Sequence, residues 1–478
     1  MKYLYLGLLV VGLLIPIAGN SQQTDTVTLL ELDTFLDIVK KNHPVSLQAE
    51  LLNDDANAAL LGARGAFDPK LYADVSEKDF DEKDYYQLID AGLSIPTWLG
   101  LDFKTGFERG RGLFLNPQNN TPTDNGLLFA GVTVPVGQGL FIDKRRADVR
   151  QARILQENNE AERTIVLNNL LLEAGNTYWD WAQAYGAKRI FEDALALAQQ
   201  RFEAVKVGAR IGDLAPIDTV EASLQVQIRF VDLQQANLDF ANATAELAVF
   251  LWADGIVPLE ITAGTVPFYY EDLVPLPVMD NYITLMDTLI QIHPELQQSQ
   301  LKINSLLLDR RLKKEEFKPV VNLSYKPITE PVGGAPLGEL SENNFTWGLT
   351  FSFPLLLRKA RGSVQQASIK VKNAEFDLEN KSQMLFQKAQ IALNEWETTF
   401  TQTVQYEQTV GDYFRLLEAE RQRFDAGESS LFLVNSRETS FINAKVKQVE
   451  FSTKNRKAIL KTDFAFGVLS QELNPITQ

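Results

Sequence analysis

Cysteine is absent from all 478 residues, and histidine occurs only twice, at His43 and His293. The first absence removes both a disulfide framework and the thiol that a bacterial lipid anchor requires. The second argues against a His/Cys metal centre, and no Ser/His/Asp set or phosphate-cradling glycine loop is found, so no metal, cofactor or catalytic residue is expected. Basic residues are also outnumbered: 46 Lys and Arg face 62 Asp and Glu, a net charge of −16. A nucleic-acid partner, which normally meets a basic face, is not expected. Long apolar runs are confined to residues 4–17, which follow Lys2 and give way to Ala18, Gly19, Asn20 and Ser21. That pattern predicts a secretory signal over residues 1–21, cut before Gln22. After it no stretch approaches the ~20 apolar residues of a membrane helix. A mature chain that crosses a membrane must then do so as a closed β-barrel.

Proline is missing from about seventy residues in succession, twice. The stretch 139–212 opens as GLFIDKRRADVRQARI and ends near RIGDLAP, and a second copy opens as PLLLRKARGSVQQASI and ends in FDAGESS. One offset of 215 pairs Arg146 with Arg361, Val149 with Val364, Trp181 with Trp396, Phe191 with Tyr406 and Gly212 with Gly427. A constant offset over that length is the behaviour of a rod spanning a fixed distance, and a helix from Asp143 to Val207 would be about 100 Å long at 1.5 Å per residue. Each rod is followed by a turn and a returning helix, predicted over 216–252 and about 431–468. The positions Ile165, Leu172, Trp179, Ala182, Ile190, Ala194 and Leu197 form an apolar stripe suited to side-by-side antiparallel helices.

The histidines belong to the repetition. His43-Pro44 and His293-Pro294 lie 250 residues apart, as do Pro69 and Pro319. Each His-Pro reads as an N-cap before a helix with proline in its first turn. A helix is also predicted over 28–41, ahead of the first pair. After Pro69 and Pro319 the period changes to two: Leu71, Ala73 and Val75 alternate with Tyr72, Asp74 and Ser76, and Phe345, Trp347, Leu349 and Phe351 alternate with Thr346, Gly348 and Thr350. These are strands of about ten residues with one apolar face, the length that a tilted strand needs to cross a bilayer. The first copy carries a surplus around Ile89, Ala91, Leu93 and Ile95, then Leu101, Phe103 and Phe107, which reads as an additional hairpin turning at 96–100. Residues 110–125 read as an exposed loop tip.

In their order, duplication and spacing these motifs resemble the TolC-like outer-membrane efflux proteins. The match is carried by HPVSLQAELLNDDANAALLGA and HPELQQSQLKINSLLLDRR, by the junctions VPVGQGLFIDKRRADVRQA and FPLLLRKARGSVQQA, and by the tips RIGDLAPIDTVEA and RFDAGESSLFLVNSRET. The resemblance implies an internally duplicated α+β membrane protein: outer-membrane antiparallel β-barrel strands continued by long antiparallel helices that form a periplasmic α-barrel tunnel. It implies a homotrimer in outer-membrane lipid that works with a periplasmic adaptor and an inner-membrane pump, as an export duct without chemistry of its own. The expected divisions are a signal over 1–21, a first repeat over 22–254, an equatorial linker over 255–281 and a second repeat over 282–478. Arg210, Gly212, Asp213, Arg423, Phe424, Gly427 and Glu428 are expected at the periplasmic turns where an adaptor would dock. Asp218, Glu221, Leu433 and Ser436 are expected at the entrance constriction, where the second copy departs from the family by lacking carboxylates. A secreted coiled-coil scaffold without a pore is the alternative reading of the same rods.

Overall fold

The computed structural model describes residues 28–471, apart from 113, 117–118, 122–124, 263, 269–285, 287–291 and 332–342. The expected signal and much of the linker lie outside the described residues. The first described element is not the start of a helix. Thr28–Leu30 forms a strand, β1, paired in parallel with Thr265–Pro267, β8, and helix α1 begins only at Leu32–Asn42. Pairing with a distant segment decides the matter against local helical periodicity.

His43 then caps α2, Pro44–Arg64, its Nδ1 accepting from Val45 N at 3.2 Å. The rod α3, Lys144–Ile211, is 68 residues long and starts where Asp143 accepts from Arg146 N at 2.9 Å. It returns as α4, Pro216–Ala248. That helix ends four residues before the expected Trp252, because Trp252–Ala253, β6, turns to pair with Val257–Pro258, β7. The second half follows the same order. His293 caps α5, Pro294–Glu315, by accepting from Glu295 N at 3.2 Å. The second rod α6, Arg358–Asp425, is again 68 residues, and α7 returns over Leu431–Ala465. Each rod is about 100 Å long.

Helix neighbours define one layer. α3 packs on α2 and α4 to one side and on α5 and α7 to the other, and α6 packs on α5 and α7. α2 therefore sits end to end with α4, and α5 with α7, while the rods run past both joints. At the first joint the His43 ring stacks on Phe250 with centroids 5.9 Å apart and meets Trp252 edge-on at 6.1 Å. At the second, Gly467 has φ +72° and lies so close that a Cβ would sit 2.5 Å from Pro294 Cδ, so glycine is required twice over. Asn168 fixes this joint, donating to Gly467 O at 3.0 Å and accepting from Ser470 N at 2.7 Å. Both histidines have their pKa lowered, chiefly by burial, and His293 is brought to about 4.

The main hydrophobic cluster lies at the first joint: Phe35, Val39, Leu171, Ala174, Tyr178, Trp181, Leu247 and Phe250. Trp181 is fully buried and donates to Thr244 Oγ1 at 2.9 Å. The buried seam of α3 is broader than the expected stripe. Trp179, Ala182, Ile190 and Ala194 are buried, but Ile165, Leu172 and Leu197 are only half-buried, and Leu167, Leu170, Leu171 and Tyr178 take their place. A rod clasped from both sides buries two faces, which one stripe cannot describe.

Beyond the upper helices lies a six-stranded antiparallel sheet in the order β10-β9-β5-β4-β3-β2. Its strands are β2 Lys70–Phe80, β3 Lys83–Pro96, β4 Asp102–Arg111, β5 Leu127–Pro135, β9 Val320–Thr329 and β10 Phe345–Ser352. The additional hairpin is present as β3 and β4, registered Ile89↔Arg109 through Pro96↔Asp102. The turn between β2 and β3 uses Asp81 and Glu82, both at φ 55°, the left-handed pair of a two-residue hairpin. Cross-strand register sorts the side chains onto two faces. Tyr72, Asp74, Asp90, Lys104, Glu108, Ser324, Lys326, Thr346 and Thr350 share one, and Leu71, Val75, Leu93, Phe103, Phe107, Leu323, Trp347, Leu349 and Phe351 the other. On the apolar face Leu71 is 87%, Phe351 67% and Trp347 63% exposed. No helix among the described residues is long and apolar enough to cross a membrane.

Candidate functional site: the paired rod tips

The far ends of the two rods come together. α3 stops at Gly212, whose φ of +87° lets its N–H reach back to Gly208 O. α6 stops two residues before Gly427, φ +75°, where Gly427 N donates to Phe424 O at 2.9 Å and Glu428 N to Arg423 O at 2.8 Å. These are left-handed helix terminations for which glycine carries no steric cost. Pro216 and Ser430 then start the returning helices, Ser430 by capping α7. Val205, Ala222 and Leu431 are buried together, with Phe202, Leu214 and Phe424 packed around them, so both turns share one small apolar core.

Above that core a polar network ties α3 and α4 to α6 and α7. Arg201 donates to Asn435 Oδ1 at 3.1 Å and to Glu438, and Glu438 also pairs with Arg421 at 3.3 Å. Asn435 passes the chain on, donating to Glu221 Oε1 at 3.0 Å. Glu438 is 3% exposed and Asn435 4%. A second buried carboxylate, Glu420, accepts from Ser429 Oγ at 2.5 Å and lies 3.7 Å from Arg423 and 3.8 Å from Arg437. Charges this dry persist only when paired. The network closes the seam between the two helical hairpins of one chain.

The residues expected from the sequence fall as follows. Arg210, Gly212, Asp213, Arg423, Gly427 and Glu428 are exposed on the two turns, and Phe424 is half-buried in the shared core. Asp218 accepts from Ala215 N at 3.2 Å and so serves the start of α4. Glu221 is held by Asn435, while Leu433 and Ser436 are exposed on α7. Both carboxylates thus have partners within the chain. Arg201, Glu420, Arg421, Asn435 and Glu438 were not anticipated. No signal within a single helix marks them, since a glutamate and an asparagine three residues apart on one face of α7 lose their solvent side only when that helix lies between two rods. Elsewhere, Glu77, Asp79 and Asp84 bring three exposed carboxylates within 4.8 Å of one another at the outer end of the β2–β3 hairpin.

Fold and tips together can be compared with those of known proteins. Residues 285–460 match the family model described as Outer membrane efflux protein. A search among curated proteins finds no match. Among solved structures, the chain is similar to the CmeC outer membrane channel of Campylobacter jejuni, at 16% identity over 92% of this chain and 86% of that one, with a TM-score of 0.60. It is similar to VceC of Vibrio cholerae, at 14% identity over 91% and 96%, TM-score 0.61. It also resembles the open state of the MtrE outer membrane channel of Neisseria gonorrhoeae, at 14% identity over 92% and 89%, TM-score 0.64. At these identities the likeness establishes the fold. The resemblance to the TolC-like outer-membrane efflux proteins is therefore borne out, by the family match over the second half and by the fold over almost the whole chain.

Proposed function

We propose that three copies of this chain close into an export duct: a β-barrel in the outer membrane continued by a helical tunnel through the periplasm. One observation carries the reading. A sheet with an exposed apolar face and a polar face is continued by two rods of equal length, and among the described residues both sheet edges, β2 and β10, are unpaired. In hydrocarbon an open edge is untenable. The same exposed leucines and aromatics weigh against a soluble scaffold, since a patch of this size in water promotes association. The duplication and the expected repeat boundaries are supported by the equal rods, the two His-Pro joints and the two glycine turns.

In this reading the duct performs no chemistry, and it receives cargo from an inner-membrane pump through a periplasmic adaptor. The adaptor would meet the exposed turns at Arg210, Gly212, Asp213, Arg423, Phe424, Gly427 and Glu428. Asp218 and Glu221 place carboxylates near the mouth, and Leu433 narrows it beside Ser436. Extraction from outer membranes should require detergent, and the extracted protein should be a trimer that conducts ions in planar bilayers. A stable folded monomer without conductance would overturn the proposal. Replacing Asp218 and Glu221 together by alanine should lower cation selectivity, and unchanged selectivity would place both outside the pore.

A further inference from the structure

Several arginines of the helical layer are held by carboxylates, among them Arg145, Arg163, Arg201, Arg229 and Arg421. Arg150, Arg153 and Arg311 are not, and among the described residues none of the three has a hydrogen-bond or ion-pair partner for its guanidinium group. They stand together nonetheless. With Ile154 of α3 and Leu307 and Leu308 of α5 they line one concave site of about 390 Å³ in the groove between these two helices. Three like charges around an apolar floor repel one another until an anion lies among them. The chain itself does not supply it. Glu157, four residues beyond Arg153 on α3, is exposed and forms no ion pair with it, although the net charge of −16 leaves carboxylates in excess. The repeat offsets of 215 and 250 convert Arg150, Arg153 and Arg311 to Gln365, Ser368 and Leu61, so the site has no counterpart in the other half of the sequence.

Spacing along the rod fixes where this groove opens. Arg150 stands 28 residues before Tyr178 and Arg153 stands 28 before Trp181, four heptads in each case, so both share the face of α3 that α1 covers further along. A second layer on that face can only stand outside the bore of a tunnel. Arg150 and Arg153 follow Asp143 by seven and ten residues, about 10–15 Å along the helix, and Arg311 precedes the start of β9 at Val320 by nine. Between these positions and the sheet the junction is apolar at its surface: Phe141 is 63% exposed and Val136 50%, with Lys318 Nζ 4.6 Å from the Phe141 ring centre. Beyond such a rim come the lipid headgroups, a layer of roughly 5–7 Å on each side of the hydrocarbon, and long arginine stems reach toward it. From these observations we infer that the groove between α3 and α5 binds an anionic phospholipid of the periplasmic leaflet, its phosphate among Arg150, Arg153 and Arg311 and its glycerol against Ile154, Leu307 and Leu308. Guanidinium forks match phosphate oxygens in pairs, and the apolar floor suits a lipid better than a hydrated ion. The inference rests on the duct reading only for which face of the layer is outermost.

The test extracts the full chain in a neutral detergent, titrates it with phosphatidylglycerol and counts bound lipid by native mass spectrometry. Each basic side chain beside an anionic lipid surface strengthens attraction about fivefold, so Arg150→Gln with Arg153→Gln and Arg311→Gln should weaken the tightest lipid site about a hundredfold. Arg150→Lys with Arg153→Lys and Arg311→Lys keeps the charge and should bind within about tenfold of the parent, which separates a lost site from a damaged fold. Lys302→Gln with Lys381→Gln and Lys388→Gln removes the same charge from the cavity on the other face of the layer and should leave the affinity unchanged. Equal binding by the parent and the arginine-to-glutamine variant, or an equal loss in the lysine-to-glutamine control, overturns the inference. Displacement of the lipid by an equal concentration of glycerol 3-phosphate overturns it as well, since the site would then read a free phosphate. The groove lies within one chain, so the lipid count is read whether or not trimers form. Absence of trimer in the same spectra would overturn the duct reading and leave this site standing.

Discussion

Replacing Glu438 by alanine tests whether the polar seam holds the two hairpins of one chain together at the tip. The carboxylate is 3% exposed and pairs with both Arg201 and Arg421. Its removal leaves two guanidinium groups facing each other across a cavity. Breaking one side of a buried ion pair costs about 3–5 kcal/mol. The arginine side chains are 15% and 28% exposed, so water reaches them in part and the lower figure, about 3 kcal/mol, is expected here. Glu438→Gln keeps the volume and one acceptor and should cost about 1.5 kcal/mol, the low end for a hydrogen bond to a charged group. The loss is local, because the large cluster around Tyr178 and Trp181 lies on another part of the rod. At 1.4 kcal/mol per factor of ten, 3 kcal/mol raises the population of the opened tip about a hundredfold. Amide hydrogen exchange should speed up by that factor in residues near 201, 421 and 438, and stay unchanged from 170 to 182. A uniform acceleration along the whole rod, or none at the tip, would refute the assignment of the seam as a local clasp.

Three further outcomes are expected. Trp181→Ala removes a fully buried ring and its bond to Thr244 and should destabilise the chain by about 3–5 kcal/mol in denaturant unfolding. His293 is held neutral by burial, its pKa lowered from 6.5 to about 4. Its contribution is therefore complete above about pH 6.5 and is lost as pH falls from there toward 4. His293→Asn keeps a capping side chain and should flatten that part of the pH profile of melting, whereas an unaltered profile would place the acid sensitivity elsewhere. Intact-mass measurement should find the mature chain beginning at or near Gln22, and retention of residues 1–17 would contradict the signal reading.

Most of the fold was legible because it is periodic or repeated. The constant offset between Arg146 and Arg361 and between Gly212 and Gly427 marked two equal rods, and the alternation at Leu71, Ala73 and Val75 marked a two-faced strand. Both His-Pro caps followed from local chemistry and were found as expected. Contacts between distant segments were harder. Thr28–Leu30 looked helical, and its pairing with Thr265–Pro267 involves a segment more than two hundred residues away. The tip network was missed for the same reason. Arg201, Arg421 and Glu438 are ordinary charged residues on any single helix, and only the packing of four helices removes their water. Asp218 and Glu221 were expected at the entrance constriction, and in the structure each serves a neighbour, Ala215 N and Asn435 Nδ2.

The additional hairpin β3–β4 bears on how barrel and tunnel fit together. At any height one chain presents four helices abreast, which at about 9–10 Å between axes cover roughly 36–40 Å of circumference. Strands spaced about 4.8 Å and tilted about 40° each cover roughly 6 Å, so a four-stranded sheet would span only about 25 Å and six strands about 38 Å. With the hairpin, the two halves of the molecule have nearly the same perimeter. In the closed assembly proposed above, the wall would pass from helix to strand with no step in bore, so a bulky cargo that clears the tunnel would meet no narrowing caused by the change of secondary structure. The short junctions at 136–143 and 353–357 then need only redirect the chain, which they do through left-handed residues at Gly139 and Leu357.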